Sequence, residues 1–172
     1  MSPTSVGRRR SGGASPASET DPERLTVRAV LLASEDREIP RAAVDLAARM
    51  AKRSGAPVHV FSLARIWGTS FGFPNPGLFP SKREWDQQRQ NVQKAVARLE
   101  RKGVRADGRV VGTRNGAKRI VREAARLGCD AIVMGADPMR GALVRNFMWS
   151  QEPYRVRRRA RVPVFLVVDQ QA

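Results

Sequence analysis

The chain has 172 residues, a length that favours one domain with enough mass to bury its own core. A single cysteine, Cys129, excludes an intramolecular disulfide and a cysteine-based metal cluster, and a single histidine, His59, argues against a His-rich metal site. No apolar run reaches the roughly 18 residues of a transmembrane helix, and the N-terminus lacks the apolar region of a secretory signal. We therefore expect a cytoplasmic protein without membrane insertion.

The formal net charge is +16, which raises the question of a polyanionic partner. Residues 1–24 carry four arginines against three acidic residues, so the excess lies in the rest of the chain. Residues 138–168 hold seven arginines against Glu152 alone. Two interpretations stay open: a solvated basic face in an arginine-rich protein, or a surface that binds polyanions.

The first predicted segment, residues 1–24, is rich in Ser, Gly, Pro and Arg and shows no apolar periodicity. This composition predicts a disordered tail, followed by one α/β domain over residues 25–172. The run 11–15 (SGGAS) lacks the preceding strand and following helix that a phosphate-binding loop requires, so it predicts no such site.

The domain opens with an apolar run at 27–33, which predicts a buried parallel strand. Pro40 is expected at the first position of a helix whose apolar residues recur at helical spacing, and Gly55 is expected to end it. The run 57–63 predicts the second strand. Residues 64–80 mix glycine, proline and aromatic residues without period, and predict a long loop that either packs on the domain or forms a lid or partner surface.

Beyond this loop, Ser81 and Glu84 have the spacing of a capping box, which predicts the start of a long helix ending at Gly103. A weaker strand is predicted over 104–111, interrupted by Gly108.

The last third of the chain repeats the alternation of helix and strand. Asn115 is predicted to cap a third helix that Gly128 ends, and residues 131–134 predict a fully buried central strand. Residues 138–161 predict one or two short helices, with Pro153 near the start of the second, and residues 163–168 predict the last strand. Because the strands alternate with connections long enough to be crossovers, the fold class is α/β: a doubly wound, five-stranded parallel sheet with helices on both faces.

Several of these segments resemble one family. The order of elements, together with LAARMAKRSGAPVHVF, ARLGCDAIVMGAD and RRRARVPVFLVV, resembles the universal stress protein family over about residues 26–168. This resemblance implies a Rossmann-like fold, similar to the adenine nucleotide alpha hydrolases, and a regulatory role in stress response. It also implies a homodimer, and in some members an adenine nucleotide such as ATP, with Mg²⁺ as a possible companion.

The resemblance also implies where a ligand lies. Nucleotide-binding members place an Asp at the end of the first strand, and here either Ser34 or Glu35 takes that position. They carry a glycine motif after the fourth strand, of which Gly135 matches the first glycine, whereas Pro138 stands at the second and has no N–H to donate. The site is therefore expected to be degenerate, and ATP is expected to bind weakly. The candidate cofactor-binding residues are Ser34, Glu35, Val60, Gly135, Gly141 and Ser150.

The remaining polar candidates have two interpretations each. The pair Glu35–Asp36 could coordinate Mg²⁺ with a nucleotide or form a solvated turn. His59 lies inside a strand with no nucleophile placed near it, and Cys129 precedes a buried strand, so packing is favoured over chemistry for both. We find no sequence motif of an active site, and we predict that the chain is not an enzyme.

The resulting hypothesis is a non-catalytic regulatory or binding module of the universal stress type with a degenerate adenine-nucleotide site. The alternatives are a basic module that binds polyanions through an Arg-rich helix at 154–161, or a nucleotide-dependent regulator of a membrane transporter. We also predict a homodimer that pairs strand 163–168 of two copies across a two-fold axis, because an apolar edge strand needs cover.

Overall fold

The computed structural model describes residues 21–35 except 23, then 37–65, 80–136 and 152–168. The predicted tail lies almost wholly outside these ranges. So do most of the aromatic loop at 64–80 and the candidate ligand residues Gly141 and Ser150.

Five parallel strands form one sheet in the order β3-β2-β1-β4-β5, which confirms the predicted fold class. The chain winds outward from β1 through β2 to β3, then returns to the other side of β1 for β4 and β5. The order of strands therefore reverses between β1 and β4, where α/β sheets bind ligands at the carboxyl ends of the strands. The strands are β1 (Val30–Glu35), β2 (Val58–Arg65), β3 (Ala106–Thr113), β4 (Ala131–Ala136) and β5 (Val164–Val168).

Within the described ranges, four helices connect these strands and cover both faces of the sheet. The cluster on one face joins residues of α1 and α2 with Leu32 and Val133. The cluster on the opposite face joins residues of α3 and α4 with Leu31 and Ile132. All four of these strand residues are fully buried, since the central strands of a doubly wound sheet are covered on both sides. The helices are α1 (Arg41–Ser54), α2 (Lys82–Arg101), α3 (Gly116–Arg126) and α4 (Glu152–Arg159).

The helix ends follow the local sequence closely. Ser81 caps α2, and its hydroxyl accepts from the Glu84 N–H while the Glu84 carboxylate accepts from the Ser81 N–H, so the predicted capping box is confirmed. The Asn115 side chain caps α3 by accepting from the Lys118 N–H at 3.3 Å. Gly55 ends α1 in the left-handed conformation, with φ of 64°, which glycine adopts without strain.

Several element boundaries differ from prediction, among them the starts of β1, α1 and β3, and β3 is not interrupted as expected. Strand β1 begins at Val30 instead of Val27, because the Arg28 N–H is bonded to the Asp130 carboxylate and not to a neighbouring strand. Pro40 precedes α1 as its N-cap with ψ of 141°, one position before the expected start. Strand β3 continues through Gly108, where a Cβ would collide with Val92 of α2, so this glycine allows the helix to pack closely on the strand.

Candidate functional site

The site predicted from sequence lies at the carboxyl ends of β1 and β4. Ala33 of β1 is paired with Met134 of β4, so Ser34 and Gly135 follow at the same level of the sheet. On the other side of β1, Ser34 is paired with Ser62. The structure therefore brings Ser34, Glu35 and Gly135 to one edge, at the point where the strand order reverses.

Ser34 and Glu35 point to opposite faces because successive side chains of a strand alternate. The Ser34 hydroxyl is buried and donates to the Arg37 carbonyl at 2.9 Å, which closes the turn after β1. Glu35 is 7% exposed and turns toward the first residue of α3, Gly116. Glu35 is therefore the acidic group at the end of β1. The Ser34 hydroxyl is already used in a hydrogen bond to the backbone of the turn that follows.

Glu35 lies at the N-terminus of α3, where the helix dipole favours a negative charge. A Cβ on Gly116 would lie 3.1 Å from Glu35 Oε1 and 3.2 Å from Glu152 Cγ, so two acidic side chains flank this glycine. The Glu152 carboxylate accepts from the Ala117 N–H at 3.1 Å and lies 3.5 Å from an Arg155 guanidinium nitrogen. Glu152 is 5% exposed, and the N-terminus of α3 therefore already holds a buried carboxylate from α4.

Sequence reasoning missed Gly116 and Glu152. The dipeptide Asn115-Gly116 at the start of a helix was one available signal, because a residue without a Cβ at this point leaves room for a neighbouring side chain. Glu152 carried no local signal, since it bonds to a residue 35 positions away along the chain.

Gly135 has a packing role that its position in the family motif does not reveal. A Cβ on Gly135 would lie 2.7 Å from Pro40 Cγ and 2.8 Å from Pro40 Cδ. The proline ring at the start of α1 thus occupies the space beside this glycine. A missing Cβ can let a backbone approach a phosphate, but here it lets the N-cap of α1 approach β4.

Val60 of β2 is paired with Leu32 of β1, two residues before the pair Ser34–Ser62, and is 1% exposed. The β2 residue level with Ser34 is Ser62, whose buried hydroxyl donates to the Gln88 side chain at 2.8 Å. The predicted residues Gly141 and Ser150 fall outside the described residues, so the site consists here of its β1, β2, β4 and α3 sides.

In the described ranges no group of three or more His, Cys, Asp or Glu side chains is placed to hold a metal ion. Mg²⁺ is commonly held by one or two carboxylates together with phosphate oxygens. Glu35 fits one such ligand, whereas Asp36, the other carboxylate of the predicted pair, lies outside the described residues.

The single histidine, His59, and the single cysteine, Cys129, both lie in packed surroundings within the fold. His59 Nδ1 lies 2.8 Å from Asp107 Oδ2, across the pairing of β2 with β3. Cys129 is 4% exposed, and burial raises the pKa of its thiol to about 12, which keeps it protonated and unreactive at neutral pH.

The Arg-rich helix predicted at 154–161 is observed as α4, with Val156 fully buried against the core. Ala160 follows the last helical turn and is half-buried. The arginines at 155, 157, 158, 159 and 161 are exposed. Over the described residues, no helix is both long and apolar enough to cross a membrane.

Comparison with known proteins gives one consistent result. The model of the universal stress protein family matches residues 26–168. A protein of that family from Burkholderia pseudomallei is 23% identical, with a TM-score of 0.60 over 83% of this chain and 96% of the other. A universal stress protein from Archaeoglobus fulgidus in complex with dAMP is 18% identical, with a TM-score of 0.59 over 80% and 94%. Another universal stress protein, in complex with cAMP, is 18% identical, with a TM-score of 0.58 over 84% and 98%. A search of curated proteins gave no match.

Proposed function

Because the chain belongs to the universal stress protein family, we propose that it is a non-catalytic regulatory module that binds an adenine nucleoside or nucleotide at the carboxyl ends of β1 and β4. Its role in the cell is then a stress response in which ligand occupancy changes how the module associates with a partner. The structural neighbours that hold dAMP and cAMP support the ligand class.

The observation that carries the proposal is the placement of Glu35. This carboxylate is at the end of β1, beside the reversal of strand order, and it is the acidic one of the two residues, Ser34 and Glu35, that the resemblance offers for the family's Asp. A carboxylate there can accept hydrogen bonds from ribose hydroxyls, as acidic residues do in other doubly wound folds.

Recognition of phosphates is expected to be weak. The Pro40 ring fills the space beside Gly135, and Pro138 has no backbone N–H to donate to a phosphate. The adjoining N-terminus of α3 already holds the buried Glu152 carboxylate, which accepts from the Ala117 N–H, so this helix end is not open to a phosphate of ATP. We therefore propose that the nucleoside part provides most of the affinity and that Mg²⁺ improves binding only when phosphates are present.

The proposal is tested by thermal shift with adenosine, AMP, cAMP and ATP, each with and without Mg²⁺. Adenosine or a monophosphate should raise the melting temperature of the wild-type chain at least as much as ATP. Glu35→Gln should reduce the adenosine shift while improving ATP relative to adenosine, because it removes a negative charge. Glu100→Gln, an exposed glutamate on α2, is the matched control and should change neither. The absence of a shift with every adenine compound would refute the proposal.

We further propose a homodimer through β5. This strand is at an edge of the sheet, and Val168 is 40% exposed at its end. Pairing with the same strand of a second copy would satisfy its open backbone groups. Light scattering at tens of micromolar should give a dimer that Leu166→Lys weakens. A monomer in the wild type would refute the dimer, and a dimer unaffected by Leu166→Lys would place the interface elsewhere.

A further inference from the structure

A groove between α1 and the C-terminal part of α2 collects positive charge from both helices. It encloses about 370 Å³ and is lined by Arg41, Asp45, Arg98, Arg101 and Lys102. Four of these five side chains are cationic. They come from two separate elements that face one space, so their charges add within the groove.

Few negative charges within the groove neutralise its cations. Lys102 Nζ lies 3.0 Å from Asp45 Oδ1, which accounts for the one carboxylate in the lining. Within the described part of the chain, the guanidinium groups of Arg41, Arg98 and Arg101 have no ion-pair or hydrogen-bond partner. Three cations are therefore available to a ligand, and Arg presents a planar fork that matches two phosphate oxygens at once.

The basic surface continues along α1. A neighbouring cavity of about 270 Å³ is lined by Arg49 and Lys52 as well as by Asp45 and Lys102. From Arg41 to Lys52 the helix extends about 16 Å at 1.5 Å per residue, the length of about five base pairs of a duplex. The cations thus form a stripe whose length suits several successive phosphates, which is more than a single phosphate group requires.

The composition of the described surface helps to choose the partner. Among its large hydrophobic residues, Val168 on β5 is the exposed one. The five side chains that line the groove are all charged, so its lining offers no apolar group to insert into a bilayer, to stack on unpaired bases or to form the centre of a protein interface. A surface with positive charge and without apolar groups is typical of proteins that bind the phosphate backbone of duplex nucleic acid.

We propose that the α1–α2 groove binds duplex nucleic acid through its phosphates, independently of base sequence. The contacts are guanidinium and ammonium groups to phosphate oxygens, and the binding is salt-sensitive because it releases counterions. This activity is separate from the adenine site, since the groove is lined by helix residues and not by the strand ends that contain Glu35 and Gly135. It also differs from the polyanion surface predicted at 154–161, whose arginines lie on α4 and directly after its end.

The test measures fluorescence anisotropy of a labelled duplex of about 20 base pairs, with the full chain, between about 50 and 200 mM salt. The groove variant replaces three unpaired cations: Arg41→Gln, Arg98→Gln and Arg101→Gln. The matched control removes the same charge from the other basic surface: Arg158→Gln, Arg159→Gln and Arg161→Gln. All six arginines belong to described ranges, and circular dichroism and thermal unfolding verify that both variants retain the wild-type fold.

The groove variant should lose at least about tenfold in affinity, and its log–log salt slope should fall by about 2.7, or about 0.9 for each lost contact. The control should stay within about twofold of wild type with an unchanged slope. Equal losses in both variants would show that net charge alone acts and would overturn the proposal. Salt-independent binding, or stronger binding to phosphatidylserine vesicles or to single strands than to the duplex, would overturn it as well.

Discussion

Replacing Gly135 by alanine tests whether this glycine serves packing. The new Cβ would lie 2.7 and 2.8 Å from two carbons of the Pro40 ring, well inside ordinary contact distance. The ring is rigid and precedes α1 as its N-cap, so relief requires the helix start or the end of β4 to move. A phosphate-binding glycine would instead show its main effect on ligand affinity.

The magnitude follows from two opposing contributions. Overpacking a buried site costs about 1–3 kcal/mol. Replacing glycine by alanine recovers about 0.4–1 kcal/mol, because the unfolded chain has fewer conformations to lose. We expect a net loss of about 1–2 kcal/mol in the free energy of unfolding of Gly135→Ala, or a decrease of about 3–6 °C in melting temperature for a domain of this size.

A double-mutant cycle with Pro40→Ala isolates the contact. Urea unfolding of the four proteins should show that Gly135→Ala costs much less in the Pro40→Ala background, because the ring atoms that it strikes are gone. A Gly135→Ala protein as stable as wild type, or one with the same cost in both backgrounds, would refute this reasoning.

Three further predictions concern the rest of the domain. Gly108→Ala should destabilise the fold more than Gly135→Ala, because its Cβ would collide with Val92 where α2 packs on β3, and urea unfolding measures the difference. Glu123 is buried beside the Arg126 guanidinium, which lowers the pKa of the Glu123 carboxyl below its ordinary 4.5. Its contribution to stability is therefore full above about pH 4.5 and is lost as the pH falls through the lowered pKa. Glu123→Gln should therefore cost less stability as the pH is lowered from 7 into the acid range; a deficit that does not change with pH would contradict this. Cys129 should resist alkylation at about pH 8 in the folded chain and react after unfolding, since its pKa is raised to about 12; rapid native alkylation would contradict its burial.

The sequence predicted those features that local chemistry determines. The capping box at Ser81 depends on two residues three positions apart, and the stop at Gly55 depends on one residue that tolerates positive φ. The alternation of apolar strands with amphipathic helices was sufficient to predict the parallel sheet and its two helical layers.

The features that escaped prediction depend on contacts between distant segments. Pro40 and Gly135 are almost a hundred residues apart, and nothing in either neighbourhood indicates that a proline ring fills the space beside the glycine. The bond from the Ala117 N–H to Glu152 is of the same kind. The basic groove was missed because its cations are dispersed along two helices, whereas the arginines of α4 are adjacent in sequence.

The proposed site keeps nucleoside recognition but has weak phosphate recognition. Calorimetric titration of the full chain with adenosine and with Mg²⁺–ATP, at one ionic strength, tests it directly. We predict that adenosine binds at least as tightly as ATP, because Pro40 fills the space beside Gly135 and the N-terminus of α3 already holds the Glu152 carboxylate. Binding of ATP at least about tenfold tighter than adenosine, which corresponds to about 1.4 kcal/mol from the phosphates, would contradict the account.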